Sequence, residues 1–275
     1  MVGIEKITSR ENRHLVDARK ARDGRCGSRM FIEGRRLVDE AVRSKIRIIE
    51  CFVSEDLRDT KWLQSIAPRL IRISELPEKI FRSLADTASS QGIVAIAERP
   101  KNYSLPDLPL IVEGSLPLVL FLNELNNPSN LGAVMRTAEA AGVSTILVSK
   151  DSADVFGPKA LRAAMGAAFR VHIAVDVDLD DVVRWAANHK LLITAADIGG
   201  NIPYTDVDWS TPRILIFGSE AHGLSEQHLK RIDEKVVIPM SDDVESLNVA
   251  VSVGIVLFEA RRQNANYATL SKIKA

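Results

Sequence analysis

The 275 residues carry 36 Lys+Arg against 36 Asp+Glu and are 46% apolar, an ordinary balance for globular protein and enough chain for two modest domains. No apolar run approaches the roughly 20 residues of a membrane span, and residues 1–29 are polar and basic with no apolar signal core. Two cysteines, Cys26 and Cys51, are too few for a disulfide framework or a metal cluster, so the expectation is a cytoplasmic, metal-free protein with reduced thiols and no membrane partner.

The net charge of zero is unevenly spread: residues 1–100 are net +5 and the remainder net −5. Bases cluster over 10–47, from Arg10 and Arg13 to Arg43, Lys45 and Arg47. Such asymmetry is the footprint of a phosphate-binding module. A solvated helix face balanced by Glu11, Asp17, Asp23 and Asp39 explains it equally well.

In chain order, 10–22 reads as a basic helix and 24–27 as a loop. Phe31-Ile32-Glu33-Gly34 leads into a helix over 34–44 with Leu37, Val38, Ala41 and Val42 on its apolar face. A strand over 46–53, a short helix marked by Trp62, Leu63 and Ile66, a strand over 70–73, a short helix over 76–84 and a strand over 93–97 complete a small α/β domain, 1–98. Pro100, Pro106, Pro109, Gly114 and Pro117 then break the pattern into a linker, 99–116.

The second domain, 117–275, alternates more cleanly. Strand-like runs over 118–122, 145–149, 171–175, 191–195, 213–217 and 236–238 alternate with helical patterns over 129–141, 158–166, 179–189, 225–232 and 246–263. Near-continuous apolar strands separated by helices predict a mostly parallel sheet with helices on both faces.

Three strand-to-helix junctions carry the candidate chemistry, because open α/β sheets bind ligands at strand ends. In the first, Pro128 and Ser129 start a helix whose Leu131, Val134, Met135 and Ala138 face the sheet. Arg136 lies on another face among Gly132, Ala133 and Ala140, open to a bulky partner unless it pairs with Glu139. The second holds Glu220 between Gly218 and Gly223; it is neither a Walker loop nor a Gly-x-Gly-x-x-Gly turn, which disfavours a nicotinamide enzyme. His222 is read as a solvent-facing or hydrogen-bonding residue rather than a base, and Ser225 as the cap of the next helix. In the third, Ser246, the expected N-cap, and Asn248 open a long helix. Its apolar face of Leu247, Ala250, Val251, Gly254, Ile255 and Phe258 suits packing within the chain or against a second copy.

The ordered set Asn-Pro-x-Asn-x-Gly-x-x-x-Arg-Thr-Ala over 127–138, Phe-Gly-x-Glu-x-x-Gly over 217–223, and Ile-Pro-Met followed by Ser-Leu-Asn-Val over 238–249 resembles the motifs of the SpoU (TrmH) family of RNA ribose 2′-O-methyltransferases, of the SPOUT class. Phe31 to Val38 is similar to the start of the ribosomal-protein-like substrate-binding domain of its ribosomal RNA members. The resemblance implies S-adenosylmethionine as methyl donor, a trefoil knot, a homodimer, and structured RNA as substrate, with 23S ribosomal RNA favoured over transfer RNA. It implies catalytic roles for Asn130, Arg136, Glu220, Ser246 and Asn248, and cofactor contacts for Gly218, Ile238 and Leu247, beside which Met240 is read as an apolar wall of the cofactor site. The competing class is a non-catalytic RNA-binding or assembly factor with the same fold. Ala141 stands before Gly142 where many members carry an aromatic, from which a packing difference is expected.

Overall fold

A computed structural model describes residues 3–57, 59–109, 116–219, 223–241 and 244–273. The chain forms two compact units, one of residues 1–101 with 154–170, the other of 102–153 with 171–275.

The first unit contains β1 (Ile4–Lys6), α1 (Arg13–Arg22), β2 (Arg29–Glu33), α2 (Arg35–Arg43), β3 (Ile48–Ser54), α3 (Thr60–Ile66), β4 (Leu70–Leu76), α4 (Glu78–Leu84) and β5 (Ile93–Glu98). Its mixed sheet runs β1-β4-β3-β5-β2. β1, β4 and β3 are parallel, and β5 is antiparallel to β3 and β2. Leu15, Ala18 and Ala21 of α1 pack on Phe31, Phe52, Phe81 and Leu84. β1 and β2 were not read from sequence as strands; Phe31–Glu33 is a strand, not a helix lead-in. It breaks at Gly34, whose φ of 90° is cheap without a Cβ.

Much of the basic cluster is spent on ion pairs. Asp23 accepts from Arg22 and Arg25, and those bonds hold its carboxyl below the usual range. Arg43 pairs with Glu40 and Arg47 with Glu98. The thiols are free; Cys51 is buried, which pushes its pKa up to about 12.

The second unit begins with β6 (Leu118–Leu122), α5 (Pro128–Ala141) and β7 (Thr145–Ser149). The next segment, 154–170 with α6 (Pro158–Ala164), groups with the first unit although the sequence reading placed it in the second domain. There the Arg162 guanidinium meets Asp86 at 2.8 Å and the buried Glu33 at 3.5 Å, while Arg170 meets Glu40 at 2.7 Å. The second unit resumes with β8 (His172–Val177), α7 (Leu179–Asn188), β9 (Leu192–Ala196), β10 (Ile202–Pro203), β11 (Arg213–Phe217), α8 (Glu226–Leu229), β12 (Glu234–Val237) and α9 (Val249–Ile273).

Its seven strands run β10-β12-β9-β11-β6-β7-β8, and every pairing is parallel, as near-continuous apolar strands predict. Leu131, Val134, Met135 and Ala138 of α5 are fully buried, but Gly132, expected to face outward, is buried too. α9 returns from β12 to lie along α5, where a Cβ on Gly254 would touch Thr137 at 3.5 Å and Arg261 donates to the Ala140 carbonyl at 3.1 Å.

α9 carries two apolar faces. Val253, Val256, Leu257 and Ala260 are buried in their own unit. Of the stripe read from sequence, Leu247 lines a pocket and Gly254 lies against α5, while Val251 at 51% and Phe258 at 49% exposed face outward.

Candidate active site

Four neighbouring parallel strands, β12, β9, β11 and β6, end on one edge. Phe217 pairs with both Leu122 and Ala196, and Ala196 with Val236. The loops leaving these ends line a pocket of about 680 Å³. That is a volume typical of small-molecule sites at the carboxyl ends of such sheets.

Asn127 accepts the Ser129 amide at 2.9 Å and caps α5, and Pro128 fills the first turn where no amide is needed. This start sets Asn130 against the pocket. Its Oδ1 accepts from Asn248 Nδ2 at 3.2 Å, joining the first junction to the third.

At the second junction β11 runs straight into Gly218, which lines the pocket. A Cβ here would sit 2.4 Å from the Gly223 carbonyl carbon and 2.6 Å from its oxygen, so glycine alone fits. The loop closes on itself: the Ser219 amide donates to the Gly223 carbonyl at 3.1 Å, and the Gly223 amide to the Ser219 carbonyl at 2.9 Å. Glu220 and His222 lie outside the described residues. Ser225 caps α8 as expected, accepting the His228 amide at 3.2 Å.

Ile238 and Met240 continue from β12 along one wall, and Ser246, Leu247 and Asn248 form another. Ser246 is not the helix cap. α9 starts at Val249, and Asn248 Oδ1 accepts the Ala250 amide at 2.9 Å. One asparagine therefore satisfies an otherwise orphaned helix amide and reaches Asn130 with its other end.

Arg136 is absent from the lining. It lies six residues beyond Asn130, about 9 Å along the helix axis, is exposed, and makes no ion pair among the described residues, so the Glu139 pairing does not occur.

Sequence reasoning missed a fourth loop. Ala196, Asp197 and Ile198, at the end of β9, line the pocket. The signal was available: Asp-Ile-Gly-Gly follows a strand as directly as Gly-Ser-Glu follows β11.

Asp197 and Glu245 are the charged side chains among the described lining residues, with no Lys or Arg there. A pocket that combines Phe217, Ile238 and Leu247 with polar side chains and this charge suits a cationic ligand with both apolar and hydrogen-bonding parts, and so fits a sulfonium cofactor. Among the described residues, no group of three His, Cys, Asp or Glu is placed to hold a metal.

Two family models match the chain: the SpoU rRNA Methylase family over residues 117–258, and the RNA 2′-O ribose methyltransferase substrate-binding domain over 31–103. A 23S rRNA (guanosine-2′-O-)-methyltransferase, RlmB, of Photobacterium profundum is 34% identical over 79% of this chain and 91% of its own. An uncharacterized tRNA/rRNA methyltransferase of Mycolicibacterium smegmatis is 32% identical over 90% and 82%. The crystal structure of an AdoMet-bound rRNA methyltransferase from Sinorhizobium meliloti superposes with a TM-score of 0.81 at 28% identity, covering 94% of this chain and 98% of that one.

Proposed function

From the premise that the chain belongs to the SpoU rRNA methylase family, we propose an assignment of roles to its residues and a substrate for its chemistry. The protein is an S-adenosylmethionine-dependent RNA ribose 2′-O-methyltransferase. When bound, the cofactor supplies an electrophilic methyl group on a sulfonium. Everything else falls to the chain.

Gly218, Ile238, Met240 and Leu247 hold the cofactor, glycine giving backbone access and the others apolar cover. Asn130, Ser246 and Asn248 fix the reacting end of the site. The Asn130–Asn248 hydrogen bond is the observation that carries this reading, since it ties the first and third motifs together on a pocket that residues of the second also line. Positioning supplies much of the rate of an in-line displacement.

A ribose hydroxyl is a poor nucleophile until its proton leaves. Arg136 grips an RNA phosphate and orients the 2′-hydroxyl, and the proton passes to phosphate, water or Glu220. With the cofactor held by Gly218, Ile238, Met240 and Leu247, its methyl group would pass to the 2′-oxygen, and 2′-O-methylated RNA and S-adenosylhomocysteine would be the products.

The substrate is ribosomal RNA, and 23S RNA in particular, a reading supported by the substrate-binding match and by the activity named for the Photobacterium relative. The enzyme works in the cytoplasm; among the described residues no helix is long and apolar enough to cross a membrane. It works as a homodimer, for which the outward stripe of α9 offers the surface, with Arg136 exposed on the neighbouring α5 and so able to serve a site shared between copies. A trefoil knot is the accompanying topology. It accords with α9 crossing from the β12 side of the sheet back to α5. Tritiated methyl transfer to ribosomal RNA, with ribose-methylation maps of wild-type and deletion cells, tests the assignment. Methylation of transfer RNA alone, or binding without transfer, overturns it.

A further inference from the structure

We propose that Asp197 holds the ribose diol of the adenosyl cofactor, an inference that rests on the cofactor assignment above. Asp197 follows directly on β9, between β12 and β11 in the sheet. Its main chain is fixed on both sides: the amide donates to the Val236 carbonyl at 3.0 Å, and the carbonyl accepts from the Gly200 amide at 3.0 Å. The Gly199 amide donates to Oδ1 at 2.8 Å. One carboxylate oxygen is thereby pinned, and the direction of the other is set.

That second oxygen, Oδ2, faces the glycine turn after β11; it lies 3.9 Å from where a Cβ on Gly223 would be. A Cβ at 223 would stand in ordinary contact with it, and the φ of 63° there favours glycine. An ionised carboxylate offers only acceptors, so it selects ligand atoms that donate. Of the donors on an adenosyl sulfonium compound, the vicinal 2′- and 3′-hydroxyls are two, adjacent and on a flat edge that can slide along a glycine turn. An acidic residue at a strand end beside a glycine-rich neighbouring turn is the arrangement by which open α/β sheets take ribose hydroxyls. The adenine N6 amino group and the α-ammonium of the methionine moiety are the competing donors, and the test separates both from the diol.

Titration calorimetry on the full chain compares wild type, Asp197→Asn and Asp197→Ala with three probes: S-adenosylmethionine, 5′-methylthioadenosine, and the 2′,3′-dideoxy form of the latter. Methylthioadenosine keeps the sugar and lacks the amino acid. Both variants should bind the first two probes about 10- to 100-fold more weakly, the range for a hydrogen bond to a charged group. Asp197→Asn, which retains an acceptor for the Gly199 amide, keeps the turn. The dideoxy probe should bind wild type as weakly as the variants do, so that losing the carboxylate costs it nothing further. A loss for S-adenosylmethionine with methylthioadenosine unaffected would transfer the contact to the ammonium or the sulfonium, the two charges methylthioadenosine lacks, and overturn the inference. An equal loss for the dideoxy probe would move Asp197 to the adenine amino group or reduce it to a loop support, and either overturns the inference. Failure of wild type to bind any adenosyl probe would sink the cofactor assignment, and this inference with it.

Discussion

A guanidinium stays protonated throughout the pH range in which RNA is handled, so Arg136 can grip a phosphate but cannot act as a base there. Its exposure and lack of an ion pair among the described residues leave the fork geometry available for bidentate contact. Arg136→Lys should lower turnover about 100-fold with saturating RNA, since misplacing a reacting group by an ångström costs that much. Cofactor affinity should stay within about twofold of wild type. Steady-state methyl transfer and a separate cofactor titration check the two halves, and near-full turnover would refute the role. At Gly218 the constraint is steric. Gly218→Ala forces the Gly223 backbone away from a Cβ that has no room, costing about 1–3 kcal/mol as overpacking does. Thermal denaturation should fall accordingly, and cofactor binding should be lost.

The sheet is held at its far end by one buried charge. Arg213, 2% exposed at the start of β11, donates to Thr194 Oγ1 at 2.8 Å, to Glu234 at 2.6 Å and to the Asp208 and Thr211 carbonyls, with its guanidinium carbon 5.0 Å from the Trp209 ring centroid. It thus links β11, β9 and β12, the strands whose other ends frame the pocket. Arg213→Ala leaves the Asp208 and Thr211 carbonyls without their buried donor, while the part-exposed Glu234 keeps its bond from Thr194. It should destabilise the protein by about 1–3 kcal/mol, the cost of hydrogen-bonding groups left unpaired; urea unfolding measures it. Strands such as β6, β7 and β11 were legible to the residue, because a strand covered on both faces is apolar throughout and bounded by polar turns. β2 was not, since Phe31-Ile32 is too short an apolar run to separate from the helix that follows. Seven of the nine proposed site residues line the pocket; turn punctuation marked the strand-end junctions, and the family resemblance picked out the residues within them. Arg136 stands outside it and Glu220 beyond the described residues. Asp197 escaped although Asp-Ile-Gly-Gly punctuates the end of its strand, because nothing in one chain's sequence marks which strands are neighbours.

The apolar periodicity of α9 was legible, but which side it buries was not: two overlapping stripes share the helix, and periodicity cannot rank them. The outward stripe joins α5 in a surface suited to a second copy of the chain. Phe258→Asp should leave the monomer folded, because the ring is half exposed. It should shift the sedimentation coefficient from dimer to monomer at micromolar concentration and abolish methyl transfer while far-ultraviolet dichroism holds. A wild-type monomer of full activity would refute the dimer. The pocket itself draws on residues from Asn130 to Ser252, with Asn248 closing it against Asn130. A ribosome making this chain therefore releases three strand-end loops well before the wall that completes them. A nascent polypeptide halted at residue 245 has most of its sheet and no enzyme. Competence to use the cofactor arrives late in synthesis, and the protein cannot modify RNA while still short of its last helix.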